Sequence, residues 1–152
     1  MPDRMVFTVH SASVAGMLSS HATQAGTVHT DEPRAMGGSG EGPNPIEMLL
    51  VAWSGCIIAT ARMVAQEHGV DLGAVTASAE GAIDPRRVQG DRSAQAGLCS
   101  ARAVLQISVE QPLPWLQDEV EARCPISGVI RRSGAEMKIV IEPATSCEVA
   151  AH

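Results

Sequence analysis

Asn44-Pro-Ile-Glu-Met-Leu-Leu-Val-Ala-Trp-Ser-Gly-Cys56 carries the clearest structural signal in the chain. Asn44 suits an N-cap, Pro45 the first helical position, and Glu47 stands three residues after the cap, where a carboxylate closes a capping box. Gly69 supplies a C-terminal stop, so the pattern predicts a helix over Pro45–His68, about 36 Å long at 1.5 Å per residue. From Leu49 to Ile58 this helix is apolar on nearly every side, which places it in the centre of a fold rather than on its surface.

On the N-terminal side, Met5, Phe7 and Val9 alternate with Thr8 and His10, predicting a strand over Met5–Val14. Ala15-Gly16 makes a turn, a weaker strand runs through His21, and a third short run covers Thr27–Thr30. The loop Asp31–Pro43 follows. Its Gly37–Gly42 segment lacks the Gly-Lys-Ser/Thr ending of a P-loop, and Glu41 would repel a phosphate, so it is a connection before a capped helix.

On the C-terminal side, Val75, Ala77, Ala79, Gly81 and Ile83 alternate as a strand, and Arg86, Arg87, Asp91 and Arg92 mark an exposed hairpin loop. Leu105, Ile107 and Val109 form the next strand. Leu113, Leu116, Val120 and Cys124 fall at helical spacing. Pro125 disfavours helical geometry at Cys124, which ends that helix and makes Cys124 a cap for the next turn. Met137, Ile139 and Ile141 form the last strand before Pro143, and a polar tail from Ala144 is expected to fray. The order of elements is an α+β pattern within one domain of 152 residues.

Composition limits the function. One Phe, two Trp and no Tyr leave little material for stacking on bases, and a net charge of −6 disfavours phosphate backbones and anionic membranes, so neither nucleic acid nor a membrane is an expected partner. The longest uncharged stretch, Met48–Ala61, is short for a bilayer span, and no signal-peptide pattern opens the chain, which leads to the expectation of a cytoplasmic protein. Four cysteines in a reducing compartment are not a disulfide framework. Their spacings of 43, 25 and 23 residues contain no CxxC pair, and the five His lack ligand spacing, so no metal or cofactor is expected.

Cys56, deep in the apolar helix, would be an inert thiol through desolvation unless a cation or donor reaches it from elsewhere. Cys124, before Pro125 at a helix start, would face free backbone N–H groups, with Arg123, Arg131 and Arg132 nearby. Each cysteine taken alone is better read as a small buried hydrophobe.

Together they form a pattern. GGSGEGPNPIEMLLVAWSGC, followed 68 residues later by CPIS, resembles the OsmC/Ohr family: a Gly-Gly loop, an Asn-Pro helix start, a cysteine late in the helix and a second cysteine before Pro. The resemblance implies an OsmC-like fold, with strands wrapped around long central helices in an intertwined homodimer whose active sites lie at the subunit interface. It also implies a cysteine-based hydroperoxidase. Cys56 would be the peroxidatic thiol, Cys124 the resolving one, a small organic hydroperoxide the substrate and an external dithiol the reductant. Two places depart from the family pattern. The first hairpin, SASVAGMLSS, has no arginine to stabilise the thiolate; Arg4 and Arg34 are the nearest, and Arg34 in the glycine-rich loop is the candidate substitute. The carboxylate that often follows Asn-Pro is replaced by Ile46, and Glu47 comes one residue later, where helix capping explains it without catalysis. The alternatives are an OsmC-fold dimer that holds a small apolar ligand in its interface cleft without turnover, and two core cysteines that never meet.

Overall fold

The structure is a computed structural model describing residues 3–109 and 111–144. Cys147 and the tail from residue 145 lie outside the described residues. The chain has two compact units, residues 1–49 and 50–152.

The first unit is a three-stranded antiparallel meander of β1 (His10–Ala15), β2 (Leu18–Thr23) and β3 (Gly26–Thr30). Alternation from Met5 predicted an earlier start to the first strand. Residues 5–9 form no strand, and Met5, Val6, Phe7 and Val9 are 55–84% exposed. Periodicity is only a potential for pairing; β2 is engaged from His10 onward and offers nothing to the preceding residues. The turn glycine Gly16, at φ 57°, and Gly26, which opens β3 at φ 133°, both have positive φ.

Helix α1 (Pro45–Glu67) matches the expected element to within one residue. The Asn44 backbone N–H donates to Glu47 Oε2 at 2.7 Å, and the Glu47 N–H donates to Asn44 Oδ1 at 2.8 Å, a closed capping box. By length and composition α1 would also pass as a membrane span, a wider test than its uncharged stretch alone. A core helix passes the same test. Trp53, Ile57, Thr60, Ala61, Val64 and Ala65 are buried along α1, all of them within the second unit.

That unit pairs β4 (Val75–Ile83) antiparallel with β5 (Leu98–Ile107), and β5 parallel with β6 (Glu136–Pro143). The parallel pair needs a crossover, and α3 (Pro114–Arg123) with α4 (Pro125–Arg132) supplies it. β5 starts seven residues before the apolar alternation suggested. Ala101 and Ala103 look weak as strand residues, yet they pair with Gly81 and Ala79 and are fully covered. The polar segment after β4 is a short helix, α2 (Pro85–Val88), followed by turns, because Asp84 caps it by accepting the Arg86 N–H. Leu72, Leu105, Ile107, Leu116, Val120, Ile130 and Ile139 complete the core of this unit.

Candidate functional site

Cys56 and Cys124 meet. Cys56 is half-buried on α1, and Cys124, 2% exposed, is the residue shared by α3 and α4. Pro125 forces the extended conformation at Cys124 (φ −70°, ψ 114°), which ends α3 and turns the Cys124 side chain back to cap α4. Its sulfur accepts the Ser127 N–H at 3.4 Å. The two sulfurs stand 3.0 Å apart as free thiols, with Cys124 donating to Cys56.

Burial pushes the Cys56 thiol up from its ordinary value, and the neighbouring Cys124 thiol, which must not lose its own proton beside a charged sulfur, adds to the rise. The Ile126 backbone N–H and the Thr60 hydroxyl oppose it without overcoming it. Cys56 therefore rests as a thiol, the desolvated state its position in the helix suggested. Immediately beside the sulfurs, Trp53 Nε1 donates to Ser127 Oγ at 2.9 Å, and both residues are fully buried.

The arginines expected around Cys124 are mostly engaged elsewhere. Arg123 makes a two-pronged bond to Glu67 (2.6 and 2.8 Å) and approaches Glu119 at 3.6 Å, while Arg131 pairs with Glu121 at 3.6 Å. Their charge is largely answered on the surface. Arg132 lies over Gly128, where an added Cβ would come within 3.5 Å of its guanidinium.

Arg34 is exposed at the head of a 3-10 turn, Arg34–Met36, in the first unit, and makes no ion pair among the described residues. Its loop is folded around Asp31, which sequence reasoning passed over. Asp31 is 1% exposed; Oδ1 accepts the Glu32 N–H at 2.8 Å, and Oδ2 accepts the Ser39 hydroxyl at 2.6 Å and the N–H groups of Ser39 and Glu41 at 2.9 and 3.1 Å. The Ser39 hydroxyl, then the Glu41 N–H, hold the Asp31 carboxyl down at about 2 against the cost of burial. The donors that a phosphate would need thus point inward at a carboxylate. Gly38 is obligatory, because a Cβ there would run into the Glu32 carbonyl oxygen.

Glu47 is accounted for by the capping box. Cys99 is a free, half-buried thiol on β5. Among the described residues no group of three His, Cys, Asp or Glu side chains could hold a metal. Besides Asp31, no sequence signal marks Thr60 or Ser127. Their hydroxyls matter only through what the fold sets beside them, although a small polar residue one turn after each cysteine is a pattern open to search.

Residues 38–140 match the family model described as OsmC-like protein. Among curated proteins none matches the chain. Several solved structures share its fold. An OsmC-like protein from Mycoplasma pneumoniae aligns with a TM-score of 0.79 at 15% identity, covering 95% of this chain and 100% of its own. An organic hydroperoxide resistance protein OsmC from Legionella pneumophila gives 0.67 at 18% identity, covering 93% and 100%. An organic hydroperoxide resistance protein from Elizabethkingia anophelis, with thiocyanate bound, gives 0.68 at 16%, covering 94% and 99%.

Proposed function

We propose that this chain, which belongs to the OsmC-like protein family, is a cytoplasmic thiol peroxidase that reduces organic hydroperoxides through Cys56 and Cys124. The observation that carries the reading is the sulfur pair, 3.0 Å apart with Cys124 almost fully buried. The Cys56 thiolate attacks the outer peroxide oxygen; the O–O bond breaks, the alkoxide leaves and takes a proton as alcohol, and Cys56 becomes a sulfenic acid. The Cys124 sulfur then displaces that oxygen as water and forms a disulfide, trapping the sulfenic acid before further oxidation. An external dithiol reduces the disulfide by exchange, itself becoming a disulfide. Two relatives by fold are named for organic hydroperoxide resistance, which supports the substrate class.

Because Cys56 rests as a thiol, the cycle needs a cation when substrate is bound, and Arg34 is our candidate. We assign residues 1–152 to one domain, since the family match runs across the boundary between the two units. Met5, Phe7, Val9, Val14, Met17 and Val28 in the first unit, and separately Val51 and Met63 on α1, are 40–80% exposed; these are apolar side chains that a second copy would cover in an intertwined homodimer. Light scattering should give a dimer at micromolar concentration; a stable monomer would remove the interface from the proposal.

The test is direct. One equivalent of an alkyl hydroperoxide added to reduced protein should link Cys56 to Cys124 on peptide mapping, leaving Cys99 as a thiol. A Cys56 that stays reduced under these conditions sinks the reading. The raised Cys56 thiol favours a second reading in that event: an OsmC-fold dimer that holds a small apolar ligand without turnover.

A further inference from the structure

The residue one turn before Cys56 and the residue one turn after Cys124 are bonded to each other. Trp53 and Cys56 lie on α1; Ser127 and Cys124 lie at the start of α4, where the Cys124 sulfur accepts the Ser127 N–H and the Ser127 hydroxyl oxygen accepts the Trp53 indole N–H at 2.9 Å. The connections close a ring: sulfur to sulfur, sulfur to the Ser127 backbone, Ser127 side chain to Trp53, and along α1 back to Cys56. Trp53 and Ser127 are fully buried and Cys124 is 2% exposed, so water does not compete for these bonds. An indole N–H in such a place holds its partner firmly, because the alternative is an orphaned buried donor.

We propose that the Trp53–Ser127 hydrogen bond is a positioning clamp that fixes the first turn of α4 against α1 and so holds the Cys124 sulfur at bonding range of Cys56. The proposal deepens the peroxidase reading and rests on it for its biological setting. The clamp has work to do in the resolving step. While Cys56 carries a sulfenic oxygen, the sulfurs must approach from 3.0 Å to the roughly 2.05 Å of a disulfide as water leaves. A fixed α4 start keeps Cys124 aimed at Cys56 during that interval. A loose one leaves the sulfenic acid open to a second peroxide, which would carry it to sulfinic acid. Ser127 and Trp53 are positioning residues here; neither side chain touches the reacting oxygen.

The test separates the clamp from the peroxide chemistry. The wild type, Ser127→Ala, and the double variant Trp53→Phe/Ser127→Ala are equilibrated in glutathione buffers, where the protein dithiol plus oxidised glutathione gives the Cys56–Cys124 disulfide plus two reduced glutathiones. The clamp predicts an equilibrium constant lower by about tenfold in both variants, because an α4 start left loose in the dithiol state must be ordered as the disulfide closes; a tenfold change raises the potential by about 30 mV for a two-electron couple. The double variant is decisive, since it removes donor and acceptor together and leaves no orphan. If it closes the disulfide as the wild type does, whatever Ser127→Ala does alone, the clamp is overturned and the bond serves stability only. A second arm uses excess alkyl hydroperoxide and scores the ratio of disulfide to Cys56 sulfinic acid by mass, a ratio independent of the speed of the first oxidation. The ratio should fall severalfold in both variants; an unchanged ratio also overturns the clamp. A wild type inert to peroxide would sink the peroxidase reading, while the glutathione arm would still judge the clamp.

Discussion

Residues 1–49 and 50–152 each bury an acidic group, and the two groups shift in opposite directions. In the second unit Cys56 is half-buried beside the Cys124 thiol, receives support from one backbone N–H and one hydroxyl, and is pushed up. In the first unit Asp31 is more deeply covered, yet three backbone N–H groups and a hydroxyl converge on it, and it is held down at about 2. Burial sets the cost of a charge; the number of aimed donors decides whether the charge survives it. The contrast extends to how each unit stays folded. The second has a continuous apolar core from Trp53 to Ile139, whereas β1 is exposed along its whole length and the loop after β3 is organised by a carboxylate. One region keeps a thiol neutral, the other keeps a loop in one shape.

The largest expected effect tests the thiol side. Cys56→Ser should abolish hydroperoxide consumption, and Cys124→Ser should let Cys56 reach the sulfenic acid, trappable by a dione reagent, without forming a disulfide. Turnover surviving in Cys56→Ser would move the chemistry out of the apolar region altogether.

The next largest tests whether the two regions are independent. Gly38→Ala drives a methyl group into the Glu32 carbonyl, and forced overpacking of this kind costs about 3 kcal/mol. Amide protection at Ser39 and Glu41 should collapse, while disulfide closure between Cys56 and Cys124 in glutathione buffer stays at the wild-type value. Loss of closure would mean that the loop and the thiol pocket are one cooperative structure, and the comparison would fail.

Arg34→Ala asks whether the ordered loop serves the thiol. A bond from a charged donor is worth about 1.5–3 kcal/mol, so the rate of Cys56 oxidation should fall roughly 10- to 100-fold if Arg34 supplies it. An unaffected rate would remove Arg34 and leave Thr60 and the start of α4 as the whole of the thiolate's support.

These tests divide along the line of what the sequence made legible. Helix α1 was open to view because cap, proline, acid and apolar run agree at every level, and the two cysteines stood out by motif. The strand expected over Met5–Val14 begins only at His10, since alternation cannot show where a neighbour exists to pair with. β5 was clipped because its first half is built from Ala101 and Ala103, whose value lies in fitting against Gly81 and Ala79. Asp31, Thr60 and Ser127 were illegible for the same reason: an acid or a hydroxyl declares its role only once its partners are placed.

The opposite shifts also predict opposite pH edges. Asp31 is lowered below its ordinary 3.8, so as pH falls the unfolded chain takes up the proton first; the stability it contributes is full above about pH 4 and is lost as pH falls towards 2. Cys56 is raised above its ordinary 9.0, so as pH rises the unfolded chain loses its proton first, and stability declines once pH passes 9. Acid should therefore expose the amides of Ser39 and Glu41 before the tryptophans change. Alkali should shift the emission of Trp53 and Trp115, both in residues 50–152, first. The reverse order would contradict the assignment of the two groups.

The smallest effect concerns Glu47, which stands where the two units join in sequence. Its carboxylate is the nearest acid to the position where the family pattern often places one, but its oxygen accepts the Asn44 N–H at 2.7 Å while Asn44 caps it in return. Glutamine can fill the same place in a capping box, so Glu47→Gln should leave both stability and peroxide turnover near wild type. Asn44→Ala removes the other half and should cost about 1 kcal/mol, a shift in melting temperature of a few degrees, with turnover retained below the transition. The pair of variants separates shape from charge. If Glu47→Gln keeps the fold and loses turnover manyfold, the carboxylate's charge matters to the thiol, and the donors around Cys56 are not its only electrostatic partners. If both variants behave as capping changes, the acid near the Asn-Pro start belongs to the helix, and the difference in electrostatics between the two regions rests on Asp31 and Cys56 alone.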